Sequence, residues 1–185
     1  MASFKFPKHT LLNFLLLLFA LSQSFYQLSR LVAADNKLIE IVCHETDMPE
    51  VCVQCLTSDP GAETADRLGL TNIVVNCLDN HASSLESNMS NMSSVYKDRS
   101  TKKVLLGCSK RYLASKKDLL AAIVSLKSGQ FDDAETLVTT TLDRHMSCLK
   151  RIKMHKEVKI SSKLAYKMKI FEDLCQIADR IIERL

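Results

Sequence analysis

The sequence predicts an all-α protein: an up-and-down four-helix bundle preceded by a short disulfide-linked N-terminal helical hairpin. Three observations carry that prediction. Apolar side chains recur at steps of three and four residues through four long stretches, the spacing that lays one stripe along a helix. The chain has no Trp, 4 Gly and 3 Pro, too few turn formers for a sandwich or a barrel. Seven Cys follow an N-terminal stretch that reads as a secretory leader, so the thiols are expected in an oxidising compartment where disulfides persist.

The leader has three parts. Lys5 and Lys8 form a positive start, Leu11 to Leu21 is almost wholly apolar, and Val32-Ala33-Ala34 is a small-residue cleavage pattern. Spanning a bilayer takes about 20 apolar residues, and this run is broken sooner, by Ser22, Gln23 and Ser24. Residues 1–34 are therefore expected to be removed, leaving one domain over 35–185 with no membrane attachment. Cleavage after Ser22 or Ser24 is the competing choice. The leader carries Lys5, Lys8 and Arg30 and no acid, so the whole-chain net charge of +4 falls to +1 in the mature chain. That near balance hides a division: residues 35–96 hold 2 basic and 10 acidic side chains, residues 97–185 hold 20 and 11. Such asymmetry suits either a charged partner or two solvated surfaces that offset each other.

The elements read as follows. Asn36 to Cys43 and Pro49 to Leu56 are short helical segments about a turn at His44 to Met48. The first long helix is expected to open at Ser58-Asp59-Pro60, with Asp59 as N-cap and Pro60 in the first helical position. Leu70, Ile73, Cys77, Ser84, Asn88 and Met92 are its inward stripe. The second runs from about Lys102 to Lys127, with Val104, Cys108, Tyr112, Ser115, Leu119, Ala122 and Leu126 inward and Gly129 as a left-handed stop. The third is expected to start on Asp132, with Glu135 completing a capping box, and to bury Ala134, Val138, Thr141, His145 and Cys148. The fourth, from about Glu157 to the end, buries Leu164, Met168, Phe171, Cys175, Ala178, Ile182 and Leu185. Stripes of this period pack helices side by side into a bundle.

Cys43 and Cys52 flank a short turn, so two antiparallel segments can bring their Cα atoms into disulfide range. Cys108 and Cys148 stand 21 residues before and 19 after Gly129, which puts them opposite each other on neighbouring helices. Pairing Cys55 with Cys77 is awkward, because Cys77 would lie about 25 Å along a helix begun at Pro60. Cys77 and Cys175 on core stripes fit ordinary buried thiols. An odd number of Cys leaves at least one thiol unpaired within the chain.

No catalytic constellation assembles. There is no Gly-rich phosphate loop, no His-Glu-x-x-His and no Gly-x-Ser-x-Gly. Cys52-Val53-Gln54-Cys55 lacks both the βαβ context of a redox motif and a second pair for zinc, so neither a metal nor a cofactor is expected. Asp132-Asp133 and Glu172-Asp173 fit capping and solvated faces. His145 fits a packed, hydrogen-bonded core histidine, and His81 and His155 surface positions. Asn88-Met89-Ser90 and Asn91-Met92-Ser93 are glycosylation sequons. Leu149 to Lys169 holds eight basic residues and only Glu157 as an acid, but with few aromatics and a leader that exports the chain it does not suggest nucleic acid.

Taken in order, these features resemble one family. The leader, Cys43-x8-Cys52, Ser58-Asp59-Pro60, Ala65-Asp66-x-x-Gly69-Leu70, Gly107-Cys108-Ser109 with Tyr112, Leu126-x-Ser128-Gly129, Ser147-Cys148 and Phe171-Glu172-Asp173-Leu174-Cys175 are similar to the plant invertase and pectin methylesterase inhibitors. The resemblance implies disulfides Cys43–Cys52 and Cys108–Cys148 and a free thiol at Cys175, with Cys55 and Cys77 extra. It implies a secreted, non-catalytic protein of the apoplast, cell wall or vacuole that binds one enzyme molecule, either pectin methylesterase over its active-site cleft or acid invertase. The docking positions it implies are Lys110, Ala114, Lys117, Ser147 and Lys150. Pectin methylesterase inhibitors tend to be acidic at the first three and at the last, so this chain departs there. The invertase branch often shows Pro-Lys-Phe after the Gly129 position, where this chain reads Gln130-Phe131. Pectin methylesterase inhibition is the first expectation, acid invertase inhibition the second. A non-inhibiting helical module that binds anionic pectin through Lys150 to Lys169 is the third.

Overall fold

The computed structural model describes residues 37–185, and the leader expected over 1–34 lies outside them. The backbone is helical over 37–44 (α1) and in α2 (Pro49–Thr57). A 3₁₀ turn at Ala62–Thr64 leads into four long helices, α3 (Arg67–Val95), α4 (Arg99–Lys127), α5 (Phe131–Met154) and α6 (Ser162–Ile182). Among the described residues there is no strand. Helix α3 packs on α4, α4 on α5, α5 on α6 and α6 back on α3, which closes an up-and-down four-helix bundle. The α1–α2 hairpin sits against it through α2, which touches α3 and α6. Glu45, in the hairpin turn, pairs with Arg67 at 2.9 Å and with Arg184 at 3.4 Å. The Arg67 hydrogen bond holds the Glu45 carboxyl below its ordinary pKa.

The inward stripes of α4 and α5 are buried as the period predicts: Val104, Cys108, Tyr112, Ser115, Leu119, Ala122 and Leu126, facing Ala134, Val138, Thr141, His145 and Cys148. In α6 the same holds from Leu164 to Ile182, while Leu185 stays partly exposed. Helix α4 stops as expected. Gly129 has φ 71°, Gln130 N–H donates to Ser125 O at 2.9 Å and Gly129 N–H to Leu126 O at 3.1 Å, the paired bonds of a Schellman stop.

Four details differ from the sequence reading. Asp59 caps only a turn, its Oδ1 accepting from Gly61 N–H at 2.8 Å. The helix begins seven residues later, where Asp66 accepts from Gly69 N–H at 2.7 Å. A Cβ on Gly69 would come within 2.9 Å of Ala65 Cβ, so the cap needs glycine there. Helix α3 buries Leu70, Val74, Leu78, Ala82, Leu85 and Met89, while Cys77, Ser84, Asn88 and Met92 are half-buried. It packs on both α4 and α6, so it buries a wider band, and the sequence reading followed that band's flank. Helix α5 begins at Phe131, with Asp132 in its first turn rather than at the cap. Helix α6 begins only at Ser162, because Ser161 Oγ caps Leu164 N–H at 3.3 Å.

Three disulfides are present: Cys43–Cys52, Cys55–Cys77 and Cys108–Cys148, with Cα separations of 5.4, 6.2 and 5.1 Å. The second pair joins α2 to α3. The bond is reachable because α3 starts at Arg67 rather than at Pro60. From Arg67, Cys77 lies about 15 Å along the helix, not about 25 Å. Cys175 is free and buried, and burial pushes its thiol pKa upward.

Candidate docking surface

Lys110, Ala114 and Lys117 stand at i, i+4 and i+7 of α4, on one face. Lys110 and Lys117 are exposed and Ala114 half-buried. Ser147 and Lys150, half-buried and exposed, flank Cys148 on α5. The Cys108–Cys148 bond brings the Lys110 end of α4 beside them. Ala114 and Lys117 continue the face toward the α4–α5 turn. Asp118 and Arg144 bridge the two helices there at 2.7 Å.

The face also has an apolar half that the inward sequence stripes do not reveal. Leu106, Leu113 and Leu120 are 37, 48 and 57 % exposed, and Val124 follows one turn on at 64 %. They alternate with Lys103, Lys110 and Lys117 in steps of three and four. A second stripe at heptad spacing was readable once the Cys108–Tyr112 stripe had been assigned to the core.

Behind the face, the core carries a polar cluster. Tyr112 O–H lies 2.9 Å from His145 Nδ1, and Phe171 meets Tyr112 edge-on at a ring distance of 5.6 Å. His145 is fully buried, with Nε2 4.0 Å from the Glu172 carboxylate and no hydrogen-bond partner. Tyr112 donating to Nδ1 leaves the ring proton on Nε2, facing that carboxylate. Burial, and then the Lys169 charge, push the His145 pKa down to about 4. Lys169 itself pairs with Asp173 at 2.8 Å and Glu172 at 3.3 Å. Tyr112, His145 and Phe171 are sealed from solvent, which suits a packing role, while Glu172 and Lys169 at the edge line a cleft.

The remaining candidates are scattered. The run from Lys150 to Lys169 is spread over α5, the 155–161 linker and α6, and Lys153, Lys156 and Lys169 of it line one cleft together with Glu172. Lys167 donates to Ser84 Oγ at 3.0 Å, and Lys169 is held by its two carboxylates. His81 and His155, expected at the surface, are both half-buried, and burial lowers the His81 pKa. Both sequons lie on the last turns of α3. Asn91 is exposed, while Asn88 is half-buried with Nδ2 donating to Ser84 O at 2.6 Å. Among the described residues no group of three metal-ligating side chains converges, and no helix is long and apolar enough to cross a membrane.

A stapled helical bundle with an exposed face of alternating Lys and Leu, and with its Tyr112–His145 pair sealed inside, has the build of a binding protein. The family model for the plant invertase/pectin methylesterase inhibitors matches residues 37–181, and the chain belongs to that family. A relative from Arabidopsis thaliana, a cell wall / vacuolar inhibitor of fructosidase 2, is 29% identical over 164 residues, spanning 86% of this chain and 91% of that one. A putative invertase inhibitor from Platanus acerifolia is 29% identical over 99 residues, 54% of this chain and 55% of its own length. The fold matches a mutant form of an Arabidopsis pectin methylesterase inhibitor with a TM-score of 0.65 at 21% identity, over 78% of this chain and 94% of that one. A second crystal structure of a pectin methylesterase inhibitor, from Arabidopsis thaliana, gives 0.60 at 21% identity, over 80% and 95%.

Proposed function

We propose that this chain is a secreted, non-catalytic inhibitor that binds an acid invertase of the cell wall or vacuole one to one, through the outer face of α4 and α5. The observation that carries this reading is the charge of that face. Lys110, Lys117 and Lys150 are exposed where the pectin methylesterase inhibitors of the family tend to carry acids. Electrostatic complementarity governs encounter rate and partner choice, so reversing those charges selects against the partner the acids would serve. The names of the two relatives, fructosidase and invertase inhibitors, support the same target. The Leu106, Leu113 and Leu120 stripe supplies the apolar area that charge alone does not.

Pectin methylesterase, the first expectation from the sequence, stays as the second reading on one observation. The α4–α5 turn reads Gly129-Gln130-Phe131, without the Pro-Lys that often precedes Phe in the invertase branch. One variant tests both. With Lys110→Glu, Lys117→Glu and Lys150→Glu combined, invertase inhibition is expected to weaken at least tenfold and pectin methylesterase binding to strengthen. Unchanged inhibition of invertase would remove this face from the proposal.

A further inference from the structure

A concentration of unpaired charge lies off the centre of the proposed docking face, where the start of α4 meets the end of α5. A cleft of about 950 Å³ there is lined by Arg99, Lys102, Lys103, Leu106, Lys110 and Arg151. All five cations are exposed, and the ion pairs found among the described residues lie elsewhere. The one carboxylate lining the cleft, Asp98, is occupied as the α4 N-cap, accepting from Thr101 N–H at 2.7 Å. Arg111, beside the cleft, has its guanidinium pKa lowered by burial and then by the Arg151 charge.

Holding five like charges around one cleft costs free energy unless a counter-anion shares them. Their arrangement is linear. Arg99, Lys103 and Lys110 run along one side of α4 over about 17 Å of helix. Leu106 sits among them as an apolar patch. A compact anion would use only part of such a track. A phosphate polymer would have little use for the leucine. A chain of sugar rings that carries a carboxylate on each ring and presents C–H faces between them matches both features.

We propose that this cleft binds a de-esterified polyuronate chain. The reaction that supplies such a ligand is hydrolysis of uronate methyl esters, which frees one carboxylate per ester cleaved. The site differs from the Lys150–Lys169 run that the sequence suggested, of which only Arg151 lines the cleft. It does not depend on which enzyme the protein inhibits.

The test is titration calorimetry of the mature chain with a de-esterified oligogalacturonide of about ten residues, at low and high salt. Attraction between exposed charges is screened over about 10 Å at 0.1 M salt and about 3 Å at 1 M, so binding should fall steeply between them. Arg99→Glu combined with Lys102→Glu should weaken binding at least tenfold. Both side chains are exposed and outside the proposed enzyme-docking set, so inhibition of the target enzyme should stay unchanged in this variant. Lys159→Glu with Lys163→Glu, in the other basic segment, should change binding less than twofold. The fully methyl-esterified oligomer should bind at least tenfold more weakly. Equal affinity for the esterified oligomer, tighter binding of a polyphosphate at the same ionic strength, or equal losses in the two double variants would each overturn the assignment. So would no measurable binding at low salt.

Discussion

Replacing His145 by Gln should flatten the acid limb of the stability profile. His145 is fully buried and neutral, and its pKa is pushed from the ordinary 6.5 down to about 4. The groups facing it are Tyr112 on α4 and Lys169, Phe171 and Glu172 on α6. Between those two pH values the unfolded chain holds a proton that the native chain does not. Stability therefore falls as pH falls through this window, and the loss levels off below about pH 4. Each pH unit inside the window is worth about 1.4 kcal/mol, so at pH 5 the histidine costs about 2 kcal/mol relative to neutral pH. For a domain of this size that is about 4–8 °C in Tm. Gln keeps a hydrogen-bonding group near Tyr112 O–H but does not titrate. Urea unfolding of both proteins at pH 7 and pH 5 measures the difference directly. The wild type should lose about 2 kcal/mol more than the variant between the two pH values. Other titrating groups, such as Glu45 and Asp179, are common to both proteins and cancel in that difference. Parallel losses in the two proteins would refute the assignment of a neutral, desolvated His145.

The staples should differ in worth by the length of chain they close. Cys55→Ser with Cys77→Ser, which opens a separation of 22, is expected to cost about 3 kcal/mol, and Cys108→Ser with Cys148→Ser, a separation of 40, about 4 kcal/mol. Denaturant unfolding gives both numbers, and an unreduced peptide map without a Cys55–Cys77 fragment would contradict the α2–α3 bond. When the chain is secreted from a glycosylating host, Asn91→Gln should remove the glycan mass and Asn88→Gln should leave it, because the Asn88 amide is already committed to Ser84 O. Intact mass spectrometry separates the two, and a glycan lost only with Asn88 would reverse the order.

The bundle was legible because its signal is periodic. From Val104 to Leu126, and from Leu164 to Ile182, the same residues that repeat at steps of three and four are the ones buried. Gly129 was equally readable, since a left-handed stop favours one residue type. What the sequence concealed depended on competition between neighbours. Asp59 and Asp66 are both capable caps, and nothing local says that the first closes only a turn while the second starts α3. That error of seven residues moved Cys77 out of reach of Cys55. Helix α3 lies against two long helices, so its buried band is wide and no single stripe describes it. On the proposed docking face, Lys110, Lys117 and Lys150 are legible only through the family resemblance. Leu106, Leu113 and Leu120 went unread because exposed leucines look like core until the core is already filled.

The central claim is that this bundle acts by binding and silencing an enzyme, with acid invertase as the target. The most direct measurement is a titration of the purified mature protein against an acid invertase and a pectin methylesterase side by side at mildly acid pH. Invertase activity should fall to a plateau at a one-to-one ratio while the methylesterase is unaffected at micromolar inhibitor. Loss of methylesterase activity alone would transfer the claim to the second reading, and full activity of both enzymes would contradict it.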